Sequence, residues 1–335
     1  MDREPEELQF IGFFGVYKEA YKIVFSWRKI FTEIALGLIL PLSFIFLAHI
    51  YISELLFGKI LHNEEVLDYT RTGSPTYNRI SDRLSSEWIT FWLFKAVYLL
   101  FVLILSLLST SAVVYTIACI YTAKDLTFKK VLSVVPKVWK RLMITFLWNF
   151  TIMFVYNFAA IVVVVLCVWV ADQIGGGVIG TIIMFLLLIA YFVGFVYINV
   201  IWHLASVISV LEDMYGIQAM IKSKELIKGK MGLASAIYIT IQFCIILIQL
   251  TFEELVVYGD SLTMTGRLGW GIACFFLLSS LILLGLVVQT VVYFICKSYR
   301  HESIDKSCLS DHLEVYLGEY VPLKGRDVQL EHFNI

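Results

Sequence analysis

Charge is the first thing this chain lacks. Asp, Glu, Lys and Arg make up 16% of its 335 residues, where ordinary globular domains carry about 25%. What charge there is cancels, since 26 basic residues stand against 27 acidic ones. No overall field draws a polyanion, so nucleic acid is not expected as a partner. Proline is scarce too, with five residues, so little interrupts a long helix. The local signatures of catalysis are also missing. There is no His-Glu-x-x-His, no Cys-x-x-Cys, no Gly-x-Ser-x-Gly and no phosphate-binding loop ending in Lys. No metal, cofactor or catalytic residue is therefore expected, and the protein reads as a non-enzyme. Gly175, Gly177 and Gly180 spell a dinucleotide-type glycine pattern, but no strand precedes them, so a tight turn is the expectation. The six cysteines, Cys119, Cys167, Cys244, Cys274, Cys296 and Cys308, lie in apolar runs or in basic segments. They form no outer-side disulfide framework.

What the chain has in excess is apolar surface. Apolar residues reach 59%, and the mean hydropathy is +0.82. A helix needs about 20 mostly apolar residues to cross a bilayer core of roughly 30 Å. Six stretches qualify, at about 31–56, 91–121, 142–170, 178–211, 233–251 and 268–295. They are continuous runs rather than the short alternating segments of a membrane barrel. The expected fold class is all-α, a polytopic transmembrane helix bundle of six spans.

Lys and Arg set the orientation, because basic loops translocate poorly. Twenty of them fall before the first span, between spans two and three, between four and five, and after the sixth. Five fall on the other side, with Lys95 just inside a span. Both termini are expected in the cytosol. The organisation is then a cytosolic N-terminal segment with an interfacial helix (1–30), a six-span membrane domain (31–298) and a cytosolic tail (299–335). The first residues are acidic rather than basic, so the first span is expected to direct insertion and to be retained. The outer side should hold one long loop, 57–90. Gly73, Pro75 and Tyr77 mark its middle as turn-rich, and Trp88 and Trp92 suit an interfacial aromatic belt.

A basic segment precedes each pair of spans. At 100° per residue, Lys129, Lys137 and Lys140, with Arg141 following, face away from Val131, Val134, Val135, Val138 and Leu142. In the first segment Lys18, Lys22 and Lys29 oppose Val16, Ala20, Ile23 and Trp27. The third is less clean, because Lys224 and Lys228 break its apolar face. Such helices are expected to lie in the interface with the apolar face in lipid and the lysines against anionic head groups. The recurrence of interfacial helix, span, outer loop and span suggests a threefold internal repeat.

Polar groups inside spans are functional candidates. His203, Asn199 and Asn157 lead, joined by Asn149, Gln242, Gln249 and Gln289. Lys95 is expected to reach outward to the interface, and Pro41 to kink the first span.

Several local sequences carry a family resemblance along nearly the whole chain: Glu6-Glu7-Leu8-Gln9-Phe10, Phe25-Ser26-Trp27-Arg28-Lys29, Leu40-Pro41-Leu42-Ser43-Phe44, and His312 through Leu323. In these the chain resembles a plant family of uncharacterised six-pass membrane proteins. More distantly it is similar to the membrane region attached to some bacterial glycerophosphodiesterases. It has no phosphodiesterase domain, so no catalytic residue carries over.

The function expected is a non-enzymatic multi-pass protein that organises membrane lipids or partner proteins through its basic interfacial helices. The C-terminal tail is a candidate protein-binding segment. The alternative is a small-molecule or lipid transporter using the bundle interior around His203. An endomembrane, such as the endoplasmic reticulum, is the expected location ahead of the plasma membrane.

Overall fold

The computed structural model describes residues 10–122, 127–173, 177–259 and 262–300, without the side chains of Lys137, Ala171, Asp172 and Ile179. Among the described residues every regular element is a helix. In chain order they are α1 (Phe13–Ser26), α2 (Arg28–Asp68), α3 (Pro75–Tyr121), α4 (Phe128–Gln173), α5 (Gly177–Leu211), α6 (Ile217–Leu226), α7 (Met231–Val257) and α8 (Met264–Tyr299). All but α1 and α6 are long and apolar enough to cross a bilayer. The chain is a multi-pass membrane protein.

Neighbouring spans pack as antiparallel pairs, α2 with α3, α4 with α5, and α7 with α8. The returning helices α3, α5 and α8 also meet one another, sharing a buried cluster at their C-terminal ends. There Tyr121 stacks on Phe294 with ring centroids 4.5 Å apart. Val16, Ala20 and Ile23 of α1, Ile30 and Ile34 of α2, and Leu226 of α6 close around it. Away from this basic end the packing thins. Phe150, Phe154, Phe158, Phe185, Leu188 and Val193 on α4 and α5 stand exposed. Water would not tolerate so large a patch, whereas lipid covers it at no cost. A smaller cluster of Leu47, Phe252, Cys274 and Leu278 joins α2, α7 and α8 in the other half.

Three expectations change, and Pro41 gains a local detail. The outer segment 57–90 is helical except at 69–74, so α3 alone runs 47 residues, about 70 Å. Its polar stretch hid this from hydropathy, and Asn63 of α2 ties it to Glu87 at 2.7 Å. Phe57, Trp88, Phe91 and Trp92 form an edge-to-face aromatic chain there. At Pro41 a π turn, Ala35–Ile39, precedes the proline, and the Leu40 N–H donates to the Ala35 carbonyl. Widening the turn gives room where the ring would press on the carbonyl four residues back. The segment before the third span is no separate in-plane helix, because α4 runs unbroken through Pro136. Its Val131, Val134, Val135, Val138 and Leu142 are buried in the protein cluster and not turned to lipid. Finally, Lys95 does not reach outward. It stays inside the α2–α3 pair, 2.9 Å from His49 Nε2 and 3.0 Å from Ser53 Oγ.

Candidate functional site

Burying the aliphatic faces inward leaves the lysines outside. Lys18 and Lys22 on α1, Lys29 on the first turn of α2, and Lys129 and Lys140 on α4 are all exposed. The Lys137 side chain lies outside the described residues. Arg141 is engaged differently, pairing with Asp213 at 2.7 Å and tying α4 to the α5–α6 link. Phe128 approaches Gly37 in the π turn, which sets the start of α4 against α2. On α1 the face opposite the cluster is aromatic, with Phe14, Tyr21 and Phe25 exposed beside the lysines. Trp27, expected on the inner face, is 43% exposed where the chain bends between α1 and α2. On α6, Ala219, Met220, Ser223 and Leu226 are buried, while Lys224 is exposed together with Ile217 and Ile221.

Under this basic rim the helix ends are locked together. Glu212, just past α5, accepts from Tyr293 at 2.6 Å and from Lys297 at 2.8 Å, both on α8. Burial alone would raise the Glu212 pKa. The Lys297 charge, the two hydrogen bonds and the charge of Lys222 outweigh it and hold the carboxyl below its ordinary value. Gly216 continues the lock at φ +64. Its N–H donates to Thr145 Oγ1 at 2.7 Å, and Thr145 also bonds Ser209. A Cβ there would come within 3.0 Å of the Trp148 ring, so both backbone and space require glycine. Arg300 caps the α6 carbonyl of Glu225 at 2.6 Å.

The three intramembrane candidates do not form one site. Asn157 accepts from Tyr191 at 2.8 Å and donates to the Met153 carbonyl, bridging α4 and α5. Asn199 donates to the Phe195 carbonyl on its own helix. His203 faces a cavity. Its Nδ1 lies 3.1 Å from Gln289 Oε1, while Gln289 Nε2 donates to the His203 carbonyl and to Ser206 Oγ, each at 2.6 Å. Tyr238 flanks the imidazole at 5.3 Å between centroids and accepts from Gln242 at 3.2 Å. These groups edge a cavity of about 190 Å³ between α5, α7 and α8. Gln289 and Gln242 were visible in the sequence as polar residues within spans. Their meeting with His203 across three helices was not, since no local spacing encodes it.

Cys119 and Cys296, near the basic helix ends, are buried. Among the described residues no group of three or more His, Cys, Asp or Glu is placed to hold a metal. The C-terminal tail, with Cys308, and the glycines Gly175 and Gly176 lie outside the described residues. Compared with curated proteins and with solved structures, the chain finds no match. A family model does match it, over residues 1–333. The chain therefore belongs to the family described as Domain of unknown function (DUF8558).

Proposed function

We propose that the protein is a non-enzymatic organiser of the membrane surface, gathering anionic lipid head groups at a basic rim on a rigid base. One observation carries the reading: Lys18, Lys22, Lys29, Lys129 and Lys140 are exposed while the apolar faces of the same segments are sealed inside the helix cluster. With the valine face packed in the cluster, the proposed attraction is electrostatic, at about 1 kcal/mol per lysine before screening. The exposed Phe14, Tyr21 and Phe25 suit the head-group level, as aromatic rings do at interfaces. The excess of Lys and Arg at this end supports a cytosolic location for both termini, where the C-terminal tail would meet a protein partner. The resemblance to plant six-pass proteins favours an endomembrane, the endoplasmic reticulum first. The threefold recurrence of a basic segment and two spans fits the meeting of α3, α5 and α8, the second member of each pair.

The test replaces the five lysines by Gln in the full-length protein and measures lipids retained after gentle detergent extraction. Enrichment of phosphatidylserine and phosphatidylinositol over phosphatidylcholine should fall at least about tenfold, a loss of roughly 1.4 kcal/mol. It should fall likewise for the unaltered protein as salt rises. Enrichment indifferent to both changes sinks the proposal.

A further inference from the structure

The cavity beside His203 has the hydrogen-bonding chemistry of a receptor for an uncharged alcohol. Gln289 settles the orientation of its amide, because its Nε2 points at the His203 carbonyl, an acceptor only. Gln289 Oε1 is then the acceptor facing His203 Nδ1, so Nδ1 carries the proton. In the neutral imidazole that leaves Nε2 as an acceptor, with no partner among the described residues. Tyr238 accepts from Gln242, and its own O–H has no acceptor among the described residues. His203 Nε2 as acceptor and the Tyr238 O–H as donor thus remain unused at the edge of a mostly apolar cavity, beside the Gln242 amide oxygen, which also has no partner among the described residues. A hydroxyl group, which both donates and accepts, satisfies the two together.

The lining also states what cannot enter. No charged side chain contributes to it, so a phosphate or carboxylate would be stripped of water without compensation. At about 190 Å³ it exceeds the apolar cavities of about 150 Å³ that accept benzene. It is nonetheless too small for a whole lipid. The shape accommodates the rest. Toward the basic end the cavity is closed by buried Leu204, Ile227, Ala234, Val288 and Val292. Away from it Ile241, Gln242, Ile245 and Leu281 are partly exposed, so the opening faces the bilayer interior, where a hydrocarbon body continues into lipid.

We infer that this cavity binds the hydroxyl end of a neutral lipid, its hydroxyl between His203 Nε2 and the Tyr238 O–H and its hydrocarbon leaving past the partly exposed residues of α7 and α8. Sterols and diacylglycerols share that chemistry. The site is independent of the basic rim.

The experiment uses the full-length protein in nanodiscs with three photoactivatable probes: a sterol, a diacylglycerol and a phosphatidylcholine. Saturable labelling of α7 or α8 peptides by the sterol or the diacylglycerol, at least tenfold above phosphatidylcholine, supports the site and names its ligand. Gly285 lines the cavity, and a Cβ there makes only ordinary contact with Ile241. Gly285→Leu should therefore fill the cavity and cut labelling about tenfold. Tyr238→Phe, which removes a single oxygen, should cut it about three- to tenfold. Equal labelling by all three probes overturns the inference. So does full labelling of Tyr238→Phe, a test that stands even where Gly285→Leu fails to fold.

Discussion

The Glu212–Lys297 lock offers a quantitative test of how the basic end is held. The two side chains lie 2.8 Å apart, 14% and 19% exposed respectively. Exposed pairs contribute about 0.2–1 kcal/mol, and breaking a fully buried pair costs about 3–5 kcal/mol. This pair sits between those limits, so its rupture should cost about 2 kcal/mol. Glu212→Gln keeps the shape and can still accept from Tyr293, while it strands the Lys297 ammonium. Lys297→Met removes the other charge, and the double variant closes a cycle that isolates the pair. Purified protein should lose about 4 °C of thermal midpoint for either single change, at the low end of the usual scale for a chain of this length. The double variant should lose less than the sum of the two. Acid gives a second reading. The Glu212 pKa is depressed on folding, so its contribution is complete above the ordinary carboxylate range and fades as pH falls through the folded value. The advantage of the unaltered protein over Glu212→Gln should shrink in acid. A coupling under about 0.5 kcal/mol, or an advantage that grows in acid, would refute the reasoning.

Other outcomes follow from single contacts. Gly216→Ala, forced to positive φ and against Trp148, should destabilise by about 1–3 kcal/mol, seen as a lowered melting midpoint; an unchanged midpoint would mean the turn can relax. Arg267→Met should cost about 1–3 kcal/mol, because Arg267 donates to the Val256 and Val257 carbonyls at the π turn ending α7; faster proteolysis of the α7–α8 turn would report it. Thr70→Asn completes an acceptor sequon with Arg71 and Thr72 at the turn between α2 and α3, and it should be glycosylated in microsomes. A sequon introduced near Ser310 should stay unmodified, and the reverse pattern would invert the proposed topology.

The spans were legible because lipid imposes a rule that composition must obey. Every backbone polar group in the bilayer is bonded within its own helix, so uninterrupted apolar runs such as 142–170 and 178–211 admit one structure. The same rule stops at the membrane surface. Beyond Phe57 the residues turn polar, and hydropathy reads a loop where pairing of the two strands of chain, Asn63 with Glu87 among the contacts, extends the helices instead. Val131, Val134, Val135 and Val138 form an apolar pattern in the sequence and are buried in the structure, yet a pattern says only that a face avoids water. Lipid and a protein core satisfy it equally, and only the closing of α4 against the ends of α3 and α5 chose the core. His203 shows the same boundary from the polar side. Its position within a span was plain from the sequence. Its partner Gln289 stands 86 residues away, and its neighbour Tyr238 is on a third helix. Apolar runs and charge asymmetry are properties of segments, summed along the chain, whereas a cavity edged by hydrogen-bonding groups from three helices exists only where separate helices meet.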